Sequence, residues 1–172
     1  MAKLISLLRN CCQSRLYWSG LIVLGLALEA AALYYQYVLD EWPCVICIHI
    51  RIWIFGFILV AIVALFCVQS RTAMRVLHGL NLVMMLGFLE RSYQVLAVER
   101  GWVFGDCDME LGMPAWFALD KWFPAIFEVK TSCGYTPYIL FQISMAEILL
   151  VLSALLTLLV AAVFASSLFG QD

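Results

Sequence analysis

Four long apolar runs set the pattern of the chain, at about 16–39, 45–68, 73–98 and 143–169. Each exceeds the roughly 20 residues a helix needs to cross a bilayer core. Glu29 interrupts the first run, and Glu90 and Arg91 sit in the later half of the third. The second is uncharged from Ile52 onward, and the fourth after Glu147. Only "DEWPC" separates the first two runs, and the short, basic "QSRTAMR" separates the second from the third. A long segment, about 99–142, precedes the fourth. The pattern predicts an all-α membrane protein, a bundle of four transmembrane helices forming one domain over 1–172.

Composition agrees. Apolar residues make up 65% of the 172 residues and the mean hydropathy is +0.98, against about 45–50% apolar in soluble domains. A net charge of −2 gives no basic surface for nucleic acid. No glycine-rich phosphate loop and no His-Glu-x-x-His pattern occurs. The start, "MAKLISLLRNCCQSRLYW", is basic but lacks a small-residue cleavage site after the next apolar run. It reads as a retained cytoplasmic lead into the first span.

Lys and Arg in short flanks predict orientation. Lys3, Arg9, Arg15, Arg71 and Arg75 gather on one side. Arg100, Lys121 and Lys130 are spread along the long loop on the other, beside Asp40, Glu41, Asp106, Asp108 and Glu110. Both termini are therefore expected in the cytoplasm, with "EWPC" and the long loop outside. In a bacterium that means the inner membrane, with these loops in the periplasm.

The seven cysteines sort by the same division. Cys11, Cys12 and Cys67 fall toward the cytoplasm, where thiols stay reduced, and are expected to be boundary or packing residues. Cys44, Cys47, Cys107 and Cys133 fall on the face where disulfides persist. Twenty-five residues separate Cys107 from Cys133. A structural bond there would stabilise the fold by about 3–4 kcal/mol. Closing the small Cys44–Cys47 ring stabilises little, and Cys-x-x-Cys is the spacing of redox-active pairs, although it also suits metal. Zinc on all four thiolates is the rival chemistry, but Cys107 and Cys133 do not form the second close pair usual in such sites.

The setting of "EWPCVICIHIR" favours thiol chemistry. Pro43 suits the first turn of a helix, so the second span is expected to begin at Pro43 or Cys44. A thiolate at that helix end is stabilised by free N–H groups and the dipole. Cys44, Cys47 and Arg51 follow at i, i+3 and i+7 and share one face. His49 points elsewhere, as a packing residue. Arg51 lies about 10 Å below the start of its span, and a charge at that depth is a functional candidate. Glu29, Glu90 and Arg91 fall at comparable depth, so four charges are expected to share one layer, with Glu90 or Glu29 holding Arg51.

In the long loop, "MPAWFALDKWFPAIF" puts Trp116, Leu119, Phe123, Ile126 and Phe127 on one helical stripe. This predicts a short amphipathic helix of about ten residues lying on the membrane. Two cysteine pairs on one face suggest a relay. A soluble dithiol would reduce the loop pair, which would reduce Cys44–Cys47, and a lipid-soluble quinone would take the electrons near Arg51.

"WPCVICIHIR" on the second of four spans, the cysteine pair in the second outer loop and "LDKW" between them resemble the disulfide bond formation protein B (DsbB) family over almost the whole chain. The resemblance implies a protein dithiol:quinone oxidoreductase that reoxidises the periplasmic thiol oxidase DsbA. It implies that Cys107 forms the mixed disulfide with the partner and that Cys133 is its loop partner. Cys44 would exchange with the loop, and Cys47 would form a thiolate–quinone adduct or charge-transfer complex. Arg51 matches the family's quinone-site arginine; the quinone would be ubiquinone or menaquinone. One departure is that "YQVLAVERGW" lacks the histidine some members carry near the outer end of the third span. Arg100, Glu99 or a backbone group is left to serve there, and His78 is near the wrong end. The alternatives are a specialised paralogue serving a dedicated partner and a non-catalytic scaffold stapled by its cysteines.

Overall fold

The computed structural model describes residues 14–103, 111–134, 136–140 and 143–169. Cys11, Cys12 and Cys107 lie outside these described residues, as do Lys3, Arg9, Asp106, Asp108 and Glu110. Four long helices carry the chain: α1 (Arg15–Val38), α2 (Val45–Cys67), α3 (Arg71–Glu99) and α6 (Met145–Phe169). All four are long and apolar enough to span a membrane. The shortest, α2 with 23 residues, extends about 35 Å at 1.5 Å per residue, against a hydrocarbon core of about 30 Å.

The helix starts are written locally. Ser14 caps α1 by accepting from Tyr17 N–H at 3.3 Å, and Ser70 caps α3 by accepting from Ala73 N–H at 3.4 Å. At α6, Glu147 N–H donates to the Ser144 hydroxyl at 3.3 Å, and Ser144 N–H donates to the Glu147 carboxylate at 3.1 Å. This reciprocal pair is a capping box. The turn from α1 to α2 is tight. Asp40 adopts φ 54°, a conformation that aspartate tolerates better than most residues, and Glu41 N–H bonds back to Tyr35 C=O at 3.0 Å.

The helices pack in chain order, α1 on α2, α2 on α3 and α3 on α6. No comparable seam joins α1 to α6. The buried core includes Trp18, Ile48, Phe57, Met85, Phe88 and Val160, whereas Val23, Leu26, Phe66, Val76 and Leu158 face outward. Apolar outward faces are what a lipid solvent requires, since burial alone does not dictate which side is greasy. Close approach of α2 and α3 is set by Gly87, where a Cβ would stand 2.5 Å from the Trp53 ring.

The predicted ten-residue loop helix is not continuous. A 3-10 turn (Ala115–Phe117) leads to α4 (Leu119–Trp122) and α5 (Pro124–Phe127). Pro124 supplies no N–H and forces the preceding residue out of helical geometry, and Phe123 accordingly sits at φ −134°, ψ 65°. The expected stripe therefore splits. Leu119 and Phe127 are buried against the protein, while Trp116 and Phe123 face out, as does Trp122. A small antiparallel hairpin, β1 (Tyr138–Leu140) with β2 (Ile143–Ser144), leads into α6 and was not foreseen.

Gly87→Ala is expected to lower stability by about 1–3 kcal/mol through overpacking against Trp53. Thermal unfolding of the purified protein in detergent measures it.

Candidate functional site

Pro43 precedes α2 in extended chain, and Cys44 is the N-cap itself (φ −83°, ψ 171°) rather than a first-turn residue. Its sulfur accepts from Cys47 N–H at 3.4 Å and lies 2.9 Å from the Cys47 sulfur. Cys44 is buried and Cys47 half-buried. The helix end alone argues for an easily ionised thiol. Contact with the Cys47 sulfur, followed by burial, instead pushes the Cys44 thiol well above the ordinary range. In the reduced pair, Cys44 therefore keeps its proton.

Cys133 is brought to this helix start. It packs half-buried against the core, with its side chain close to Cys44. A cleft of about 10 Å³ is shared by Cys44, Cys133, Glu99 and Thr136. The Thr136 hydroxyl donates to the Glu99 carboxylate. Three of the four cysteines expected to react are thus near one another, and the fourth, Cys107, lies outside the described residues.

Arg51 follows one turn deeper on the same face and is 5% exposed. Its Nη1 donates to Gln36 Oε1 at 2.6 Å and to Ile126 C=O at 2.8 Å, and its Nη2 donates to Ala32 C=O at 3.1 Å. The hydrogen-bond acceptors of the guanidinium among the described residues are a neutral amide and two carbonyls. Glu29 lies on the Ala32–Gln36 face of α1 at i−3 and i−7, close enough for its charge to act on Arg51. One carboxylate oxygen of Glu29 is buried without a hydrogen-bond partner among the described residues.

The expected four-charge layer does not form. Glu90 pairs with its neighbour Arg91 at 3.1 Å, and both bond to Gln94 on a half-exposed face. The reason is helical phase. Met85, Phe88, Ser92 and Val95 are among the buried positions of α3, which turns 90 and 91 away from Arg51. His49 meets Leu111 C=O at 3.3 Å through Nε2, tying α2 to the loop. His78 is buried far from the thiols, stacked on Trp18 with ring centroids 4.7 Å apart. Cys67 packs half-buried at the opposite end of α2.

Beside the thiols lies a cavity of about 340 Å³, within the usual range for small-molecule sites. Cys47 and Arg51 line it, with Leu28 and Ala31 from α1 and Ile148 and Leu152 from α6 as apolar walls. It occupies the side of the bundle where α1 and α6 do not pack together. Neither Glu99 nor Arg100 lines it; Arg100 pairs with Glu147.

Sequence reasoning missed Gln36, Tyr37 and Thr136. Gln36 had a usable signal. It is a polar residue in an apolar run, seven positions after Glu29, and hence on the same helix face.

Comparison with known proteins gives the family. The family model described as "Disulfide bond formation protein DsbB" matches residues 14–163. "Disulfide bond formation protein B 2" of Pseudomonas aeruginosa is 33% identical over 160 residues, covering 92% of this chain and 93% of that protein. "Disulfide bond formation protein B" of Photorhabdus laumondii is 29% identical over 166 residues, covering 95% and 97%. That of Shewanella frigidimarina is 30% identical over 151 residues, covering 83% and 85%. With four spanning helices, a Cys-x-x-Cys pair capping the second and a loop cysteine laid against it, the chain belongs to the DsbB family of membrane disulfide bond formation proteins.

Proposed function

We propose that the chain moves two electrons from a periplasmic DsbA-like dithiol, through Cys107–Cys133 and then Cys44–Cys47, to a membrane quinone. The observation that carries this reading is the placement of Cys133 against Cys44 while Cys47, one turn on, lies near Arg51 and lines the same cavity.

The exchange steps follow from which sulfur can leave as thiolate. A partner thiolate attacks the Cys107 sulfur, forming a mixed disulfide and releasing Cys133 as thiolate. Cys133 attacks Cys44, the Cys44–Cys133 bond forms, and the electron pair of the broken Cys44–Cys47 bond leaves on Cys47. The buried guanidinium of Arg51 favours the charge there rather than on Cys44. The partner's second thiol, losing its proton to solvent, displaces Cys107 and leaves oxidised. Cys107 then attacks Cys133, restoring the loop disulfide, and Cys44 takes a proton. The balance is one partner disulfide formed and one Cys44–Cys47 dithiol made.

The cavity suits a quinone head: its walls are largely apolar, Arg51 is the cation in its lining, with Asp40 and Glu41 also lining it, and α1 and α6 stand on either side without packing together. A quinone bound there would supply an acceptor for two electrons and two protons. Arg51 would orient an oxygen atom, and the α1 and α6 walls would exclude water.

Membranes containing the protein should consume quinone when given a reduced DsbA-like substrate, and Cys44→Ser should abolish this. Quinone consumption unchanged by Cys44→Ser overturns the proposal. In a protein carrying Cys47→Ser and Cys107→Ser, mild oxidation should trap a Cys44–Cys133 bond, detected by peptide mass mapping; its absence removes the exchange step.

A further inference from the structure

The outer loop does not merely lie over the bundle. Its Pro124–Phe127 turn presents two backbone carbonyls downward, and three side chains of the bundle receive them. Tyr37 Oη donates to Ala125 C=O at 2.5 Å, Gln36 Nε2 donates to the same carbonyl at 3.4 Å, and Arg51 Nη1 donates to Ile126 C=O at 2.8 Å. Gln36 is 1% exposed and also accepts from Arg51, so one buried amide joins the loop to the guanidinium beside the thiols. Phe127, 4% exposed, packs edge-on to Phe55 of α2 with centroids 6.4 Å apart.

A second anchor follows. Lys130 N–H donates to Pro43 C=O at 3.2 Å, and the Lys130 ammonium sits 4.5 Å from the Trp42 ring centroid. Pro43 directly precedes Cys44, and Cys133 is three residues beyond Lys130. Three residues reach at most about 10–11 Å, so the anchors leave Cys133 little room except beside Cys44. Holding reacting groups in this way raises their effective concentration.

We propose that Gln36 and Tyr37 are positioning residues that dock the Pro124–Phe127 turn onto Arg51 and thereby hold Cys133 at Cys44. This rests on the relay proposed above, in which those two sulfurs must meet.

The test is an equilibrium without quinone, so its failure is distinguishable from failure of the relay. Full-length protein carrying Cys47→Ser and Cys107→Ser is equilibrated in glutathione buffers. The Cys44–Cys133 bond is then quantified by alkylation and peptide mass mapping. Tyr37→Phe, which removes one hydroxyl from a ring at the surface, should lower the bond's equilibrium constant about threefold to tenfold, the range for one hydrogen bond. Gln36→Met, which also strips a partner from Arg51, should lower it about tenfold or more. The control is the Cys44–Cys47 equilibrium in a Cys107→Ser, Cys133→Ser background, which Tyr37→Phe should leave within about twofold, because those thiols share one helical turn. An unchanged Cys44–Cys133 equilibrium in Tyr37→Phe, or an equal shift in the control, overturns the proposal.

Discussion

A guanidinium at bilayer depth must find acceptors inside the protein, because lipid offers none. Arg51 finds them on two elements distant in sequence: Ala32 and Gln36 of α1, and Ile126 of the outer loop. That requirement fixes the outer end of the bundle. It sets the phase of α1 against α2, seats the loop turn over both, and leaves a cation facing the sulfur one turn above. The groups that accept from the guanidinium are neutral, while the charge of Glu29, on the same face of α1, acts on it from nearby.

The thiol pair depends on a second constraint, the helix start. Cys44 caps α2 through its sulfur and stays protonated, while Cys47 faces inward along the same side as Arg51. The two members of a short pair thus acquire different surroundings. Both line the cavity, but Cys44 meets the loop cysteine at the start of α2, while Cys47 lies one turn nearer the Arg51 cation. In the proposed relay this asymmetry gives electrons a direction, since the sulfur beside the cation is the better leaving group.

Much of this was legible in the sequence because bilayer thickness and helix period are strong constraints. The four spans emerge within two residues of the apolar runs, and the i, i+3, i+7 spacing correctly set Cys44, Cys47 and Arg51 on one face. Depth was read less safely than face. Glu90 and Arg91 lie at a plausible level, but the rotation of α3 is decided by Met85, Phe88 and Ser92 packing inward, which no count from the span's end reveals. The loop was the least legible part. Pro124 signalled a break, yet the apolar wheel drawn through it assumed continuity. The use of its carbonyls by Gln36, Tyr37 and Arg51 joins positions 75 to 89 residues apart.

The central claim is that the buried Arg51 charge makes the thiol pair and its cavity one redox site. Anaerobic titration of the pre-reduced, purified full chain with quinone, followed by stopped-flow absorbance, tests it most directly. Wild type should oxidise with one quinone per Cys44–Cys47 pair, Arg51→Met should bind about tenfold more weakly or worse, and Cys47→Ser should show no stoichiometric oxidation. An Arg51→Met protein that folds and titrates like wild type would contradict the account.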